Sequence, residues 1–304
     1  MKAIQFNHYG EPGVLQMVDV DMPYPNPDQI LIQVKSFGIN PVDWKLRSGL
    51  MQAQVPLNFP VTLGFEVAGI VTKTGKNVTR FKVGDHIYSR AQQSYAEYCL
   101  VDAAVAQIIP DFLDFTKAAS LPSGSQVAYS ALKTIGNIEQ NQNVLIHAGA
   151  GGVGVCAIQI AKSFGAKVTA TASENNFALL KKLGADHIID YKKTNLHQIT
   201  ERFDLILDSV GGKTQVESSE LLNDTGTLVS LVSDEQNRFP HPLLDKKFCF
   251  MRGVQGNPSS IVHSLISEQK VRPVIDRIFD FHHVAEAHQR SQTGHVSGKI
   301  VITV

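Results

Sequence analysis

The alternation of apolar and polar positions changes rhythm once along this chain. Over roughly the first hundred residues, short runs rich in β-branched side chains are separated by clusters of Pro, Gly, Asn and Asp; Gln29–Lys35 and Glu66–Thr72 are the clearest. Pro23, Pro25 and Pro27 mark an extended loop, since proline brings no N–H to a strand ladder. Gly84 and Asp85 turn the chain into a further strand at His86–Tyr88. This pattern predicts an antiparallel, irregular, β-rich region.

From about residue 118, stretches of helical length alternate with short apolar runs. The predicted strands are Asn143–His147, Lys167–Thr171, His187–Asp190, Asp204–Asp208 and Thr227–Leu231. Strands that are apolar almost throughout belong to a parallel sheet covered on both faces, and the alternation predicts right-handed βαβ units. Phe248–Val254 is the last strand of this series, at a sheet edge. Gly298–Val304 forms one more strand after a helix, and its partner cannot be read from periodicity. The fold class is α/β, with a second, β-rich domain.

Composition narrows the function. The chain has 304 residues, 43% hydrophobic and 18% charged, which suits a globular protein with a large core. Lys plus Arg and Asp plus Glu number 28 each, so no net field draws in nucleic acid or an anionic membrane. Met1–Phe6 lacks the apolar segment of a secretory signal, and no apolar run is long enough to span a bilayer. The expected location is the cytoplasm. Cys99, Cys156 and Cys249 are odd in number and far apart, so they are expected to be reduced, buried thiols.

The strongest local signal is Val144–Lys162, where a buried strand runs into glycines and then into a helix. Gly149, Gly151 and Gly154 give the GxGxxG spacing of a dinucleotide turn, and a second strand follows at Lys167–Thr171. Such glycines allow a tight turn, close approach of backbone to a pyrophosphate, and close helix–strand packing. The pyrophosphate then meets free N–H groups at the positive end of the helix. At the end of the second strand an NAD site usually carries an acidic residue for the ribose hydroxyls. Here Thr171-Ala172-Ser173 stand instead, with Glu174 only afterwards. Small hydroxyl side chains leave room for a 2′-phosphate, and Tyr191 adds a donor past the third strand, so NADPH is the expected cofactor. Asn175 and Asn176 occupy the places where a cation would help most.

Six separated motifs in order are similar to the medium-chain dehydrogenase/reductase superfamily, in its zinc-independent quinone oxidoreductase and enone (alkenal) reductase branch. They are Gly38–Gly49, Gly64–Gly69, Gly149–Gly154, Leu183–Asp186, Asp208–Gly212 and Gly298–Val301. The resemblance implies a GroES-like β-rich catalytic domain over residues 1–117 with 265–304. A Rossmann NADP-binding domain with a doubly wound parallel sheet would be inserted over 118–264, with the active site in the cleft between them. It further implies a homodimer joined through Phe248–Val254.

Zinc-dependent relatives carry Cys where this chain has Asn40 and His where it has Phe65, and neither replacement is a workable zinc ligand. The structural four-cysteine loop is also missing, and the eleven histidines show no ligand spacing. No metal is expected. Without residues to hold a Lewis acid over an alkoxide, the chemistry shifts to acceptors whose own conjugation carries the developing charge to a carbonyl oxygen. The resemblance thus points to NADPH-dependent reduction of quinones or α,β-unsaturated carbonyls. An enoyl-thioester reductase and a non-catalytic NADPH-binding redox sensor or structural protein stay open beside it.

By the same resemblance Asn40 and Lys45 are the catalytic candidates: Lys45 to hold the carbonyl oxygen, Asn40 to orient substrate or ring. Asp43 is read as a local cap. For the cofactor the resemblance assigns Gly151, Gly152, Val153 and Gly154 to the pyrophosphate, and Ser173, Asn176 and Tyr191 to the 2′-phosphate side. Val210, Gly211 and Leu231 fall to the nicotinamide half, with His295 and Val296 near the C-terminus. His295 stands in a place often held by Arg. Val127 replaces a frequent Thr and Asn176 a Lys found in some relatives, both departures that would lower NADPH affinity or loosen its selectivity.

Overall fold

Residues 1–240 and 247–304 are described by the computed structural model, and they sort into two units: 1–123 with 273–304, and 124–272. In chain order the first part contains β1 (Lys2–Phe6), β2 (Gln16–Asp19), β3 (Gln29–Ile39), helix α1 (Pro41–Arg47), β4 (Val61–Thr62), β5 (Glu66–Thr74), β6 (His86–Arg90), β7 (Tyr98–Asp102), β8 (Gln107–Ile108) and helix α2 (Phe115–Ala119). The middle part contains α3 (Pro122–Tyr129), β9 (Asn143–Ile146), α4 (Gly154–Ser163), β10 (Lys167–Ala172), α5 (Phe177–Leu183), β11 (His187–Asp190), β12 (Phe203–Asp208), α6 (Gly212–Ser218), β13 (Leu222–Ser230), β14 (Lys247–Phe250) and α7 (Ser259–Ser267). The last part adds β15 (Ile275–Asp280), α8 (Val284–Gln292) and β16 (Lys299–Thr303).

The first unit is built around β3. Its apolar run continues past Lys35 to Ile39, and Ile30, Ile32, Val34 and Phe37 are all essentially buried. Register shifts against β5 at Leu31/Ile32 and Val34/Ser36 re-aim side chains along this long strand. Among the described residues one sheet runs β15-β16-β3-β5-β6-β8, with β7 also on β3. β7 pairs with the first half of β3, and β16 with the second half, Ile300 opposite Ile39. The terminal strand therefore belongs to the first unit. That register sets Lys299 at the end of β3, next to Asn40.

In the second unit the sheet order is β11-β10-β9-β12-β13-β14, with every adjacent pair parallel. Burial on both faces explains the apolar runs: all but one residue of each of β9, β10 and β12 is buried. The order reverses at β9, since β10 and β11 extend on one side of it and β12 to β14 on the other. This is the doubly wound Rossmann arrangement. The first unit is the GroES-like domain.

Two expectations change. The strand expected over Phe248–Val254 spans Lys247–Phe250, because Gly253 and Gly256 take left-handed turns (φ +74° and +65°) that a ladder does not allow. The domain bounds fall at 123/124 and 272/273 instead of 117/118 and 264/265. A break at 264/265 would cut α7, which is one continuous helix over Ser259–Ser267. No helix among the described residues is long and apolar enough to cross a membrane.

Candidate active site

Parallel strands place their carboxyl ends along one edge of the sheet, and this edge collects most of the cofactor candidates. Gly151–Gly154 follow β9, Ser173 and Asn176 follow β10, Tyr191 follows β11, Val210 and Gly211 follow β12, and Leu231 follows β13. Ligands of doubly wound sheets bind outside the carboxyl ends at the point where strand order reverses, which here is β9. The glycine turn stands at that point.

The turn is held from behind by a chain of hydrogen bonds. Ala148 adopts a left-handed backbone (φ +51°), a costly conformation for a residue with a Cβ. Its N–H donates to Thr171 Oγ1 (3.1 Å), and Thr171 Oγ1 lies 3.3 Å from His147 Nδ1. His147 Nε2 contacts Ser218 Oγ at 2.8 Å, and that hydroxyl donates its own proton to the Thr214 carbonyl. His147 must then donate through Nε2 and accept at Nδ1, so it is the neutral Nε2–H tautomer. Burial agrees, pushing its pKa down to about 4 against a weaker opposing pull from Asp208.

This cradle fits a dinucleotide phosphate. A Cβ on Gly154 would overlap the Ala148 carbonyl oxygen and come within 2.8 Å of the Gly149 backbone, so helix and strand close up only around glycine. A Cβ on Gly151 would meet just the Ala148 oxygen, at 3.3 Å, which leaves the space in front of the turn open. The N–H groups of Gly152 and Val153 have no hydrogen-bond partner among the described residues and sit at the start of the ten-residue helix α4.

The neighbouring loop is fixed by Asp208, which is fully buried. Its Oδ1 accepts the N–H of Val210 and of Gly211, both at 2.9 Å. Its Oδ2 accepts Gln215 Nε2 and Ser230 Oγ, both at 2.8 Å, and its carbonyl accepts the Leu231 N–H. Asp208 thereby holds the three predicted nicotinamide-side residues, Val210 and Gly211 through its carboxylate and Leu231 through its carbonyl.

On the adenosine side, Asn176 Nδ2 reaches Ser173 Oγ at 3.5 Å and Tyr191 is half exposed. Sequence reasoning found no cation here. The pairing of Ala172 with Asp190 brings the residues after β11 beside those after β10, and with them Lys192 and Lys193. Lys193 Nζ pairs with Glu174 (2.6 Å) and stands 3.8 Å from Asp190. His295 and Val296 belong to the first unit. His295 is exposed, and its carbonyl accepts Arg290, itself paired with Asp276.

In the first unit the catalytic candidates sit at the start and middle of α1. Asn40 is the N-cap, and its N–H donates to Asp43 Oδ2 at 2.6 Å, so Asp43 is the cap partner the sequence predicts. Asn40 Nδ2 donates to Glu66 Oε1 (2.9 Å) and Asn40 Oδ1 accepts Lys299 Nζ (2.6 Å). Lys299 also donates to Glu66, and Glu66 Oε2 accepts the Ser123 N–H at 2.8 Å. Lys45 is half-buried, with Nζ 5.9 Å from the Trp44 ring centre; its ammonium makes no hydrogen bond or ion pair among the described residues.

Residues 26–134 match the family described as alcohol dehydrogenase GroES-like domain, and residues 183–302 the family described as zinc-binding dehydrogenase. A 2-methylene-furan-3-one reductase of Solanum lycopersicum is 35% identical over 99% of this chain and 79% of its own length. An NADPH-dependent alkenal/one oxidoreductase of Arabidopsis thaliana, named as chloroplastic, is 33% identical with the same coverage. The solved quinone oxidoreductase from Coxiella burnetii superposes with a TM-score of 0.90 at 36% identity, over 100% of this chain and 99% of its own.

The chain is a medium-chain dehydrogenase/reductase of the zinc-independent quinone and enone reductase branch. As a member it is an oxidoreductase enzyme that binds NAD(P)H. The second family description mentions zinc, yet this member of the superfamily has an amide and a phenyl ring, Asn40 and Phe65, at the ligand positions. Among the described residues no group of three or more His, Cys, Asp or Glu side chains is placed to hold a metal ion.

Proposed function

We propose that this reductase uses NADPH to reduce quinones or α,β-unsaturated carbonyls. The observation that carries the reading is the convergence of glycine turn, Ser173 and Tyr191 on the carboxyl edge of the parallel sheet, together with Lys45 in the GroES-like unit, whose ammonium has no hydrogen bond or ion pair among the described residues. NADPH, when bound, supplies a hydride equivalent. The chain's own residues do the rest: the Gly152 and Val153 N–H groups take the pyrophosphate, and Asp208 keeps the 210–211 loop in shape. Lys45 donates to the acceptor's carbonyl oxygen, where negative charge gathers as the conjugated bond is reduced. Asn40 donates its remaining amide N–H.

Two relatives support the acceptor class through their names, since 2-methylene-furan-3-one and an alkenal both hold a C=C bond conjugated to a carbonyl. The solved neighbour named as a quinone oxidoreductase supports quinones. An acceptor panel of 9,10-phenanthrenequinone, a short enone and a crotonyl thioester tests the reading by NADPH oxidation at 340 nm. Turnover of the first two is expected; turnover of the thioester alone would replace this reading with enoyl-thioester reduction. Lys45→Ala is expected to lower kcat/KM for the enone by about a hundredfold to a thousandfold, the range for losing one charge-stabilising donor. An unchanged kcat/KM removes Lys45 from the mechanism.

Preference for NADPH over NADH is assigned to Ser173, Tyr191 and Lys193. The exposed Glu174 partner contributes little by itself, so Lys193 is free to exchange it for a 2′-phosphate. Lys193→Ala is therefore expected to weaken NADPH binding about tenfold and to leave NADH binding within about twofold, measured by fluorescence titration. Equal losses for both cofactors would discard this assignment. Cytoplasmic location and dimerisation through the β14 edge complete the proposal.

A further inference from the structure

Lys299 and Glu66 form an ion pair buried almost completely, with side chains 5% and 0% exposed. Removing two charges from water costs several kcal/mol each, and an apolar pair of similar shape often serves stability as well or better. A buried pair of this kind calls for a further reason, and its third member supplies one. Lys299 Nζ donates to Asn40 Oδ1 at 2.6 Å, while Asn40 Nδ2 donates to Glu66 Oε1 at 2.9 Å, and Lys299 and Glu66 close the triangle.

The triangle decides which way the Asn40 amide points. Its oxygen and nitrogen are nearly the same size, so shape alone does not distinguish the two flips. With an ammonium on one side and a carboxylate on the other, the reversed amide would set NH₂ against NH₃⁺ and C=O against COO⁻. The backbone is prepared for this arrangement. Gly38 has no side chain because a Cβ there would overlap the Glu66 carboxylate. Ser123 N–H fixes the outer oxygen of Glu66 at 2.8 Å, and Asp43 holds the backbone N–H of Asn40. Asn40 is the half-exposed member of the triangle, and one Nδ2–H is left over after the bond to Glu66.

We infer that Lys299 and Glu66 are positioning residues that fix the Asn40 amide so that its remaining N–H faces the acceptor. This rests on the functional reading above, in which Asn40 serves the acceptor; Lys299 itself touches neither acceptor nor cofactor.

The test uses the full-length protein and the variants Lys299→Met, Glu66→Gln and the two combined. Each single variant strands a buried charge and is expected to lower Tm. The double variant leaves no unpaired charge and is expected to regain most of that Tm. Its kcat/KM for the enone should nonetheless stay on the order of tenfold or more below wild type, as for a misplaced contact group, with the NADPH dissociation constant within about twofold. A double variant with wild-type Tm and wild-type kcat/KM overturns the inference.

Glu66→Asp covers the case in which the double variant does not fold. It keeps the charges balanced and withdraws the carboxylate by one methylene, so kcat/KM should fall in the same direction; a folded Glu66→Asp with wild-type kcat/KM also overturns the inference. A readout independent of turnover is the side-chain NH₂ signal of Asn40 in ¹⁵N-asparagine-labelled protein. Slow exchange with solvent and restricted motion by ¹⁵N relaxation are expected for that NH₂ in the wild type, with faster exchange and greater mobility in Glu66→Asp. A mobile amide in the wild type refutes the positioning role, whereas a rigid amide in a protein that turns over no quinone or enone defeats the functional reading instead.

Discussion

Gly151→Val is expected to raise the NADPH dissociation constant about a hundredfold, roughly 2.7 kcal/mol, while leaving Tm within a few degrees of wild type. A Cβ at position 151 meets only the Ala148 oxygen, at 3.3 Å, a contact relieved by a shift of a few tenths of an ångström. What it fills is the open space before the Gly152 and Val153 N–H groups, which the pyrophosphate needs. Gly154→Ala provides the contrast. Its methyl group would collide with the Ala148 carbonyl and the Gly149 backbone, so that variant should lose both cofactor and stability, by about 1–3 kcal/mol for an overpacked site. Fluorescence titration with NADPH, beside thermal unfolding followed by circular dichroism, separates the two. Wild-type affinity in Gly151→Val would mean that the phosphate does not enter this cradle.

That prediction draws on a turn legible from sequence, because glycine spacing, flanking strand and following helix are all local. The same locality made β9, β10 and β12 readable: strands buried on both faces are apolar without interruption. Only Thr227–Leu231 of β13 is legible as strand, because Leu222–Gly226 is polar and glycine-bearing, although it begins the strand that pairs with β12. The partner of the terminal strand was not legible from periodicity, since Ile300 and Ile39 are brought together only by the closure of the whole first unit. The resemblance is what assigns that segment to the first domain.

The site divides along the same line. The resemblance pointed to Asn40, Lys45 and the glycines, yet what holds them was hidden. Lys299 and Glu66 are far apart in sequence, and each sits in a motif where a lysine or glutamate reads as an ordinary strand residue. Asp208 looked like the end of a strand until the folded loop turned two N–H groups onto its carboxylate. Lys193 is not legible as a 2′-phosphate partner because it follows the third strand, and only the β10–β11 pairing brings it beside the end of the second. Long-range pairing, invisible to a window of sequence, accounts for each of these.

The other large effect concerns pH. Asp43 lies wholly inside the first unit, and burial pushes its pKa up to about 7 from 3.8, outweighing the hydrogen bond from the Asn40 N–H and the nearby Tyr95 and Lys299. Its folded form holds a proton that the unfolded chain has already released, so between about pH 4 and 7 this group lowers stability as pH rises, by roughly 1.4 kcal/mol per pH unit. His288 in the same unit works in the opposite sense. Burial, reinforced by Arg47, drops its pKa to about 3 from 6.5, so it binds its proton only on unfolding. The stability it contributes is complete above about pH 6.5 and is lost as pH falls toward 3.

The two slopes offset each other through the acid range, and above pH 6.5 only the Asp43 penalty is still growing. Asp43→Asn keeps an oxygen for the Asn40 N–H and removes the ionisation. It is expected to raise Tm at pH 8 by about 5–10 °C, to match wild type near pH 4, and to leave a plain fall in stability below pH 6.5 from His288. Thermal unfolding of both proteins across pH 4–8 checks this. Coincident curves at pH 8 would show that the Asp43 carboxyl is already ionised in the folded protein, with Lys299 and the Asn40 N–H outweighing its burial.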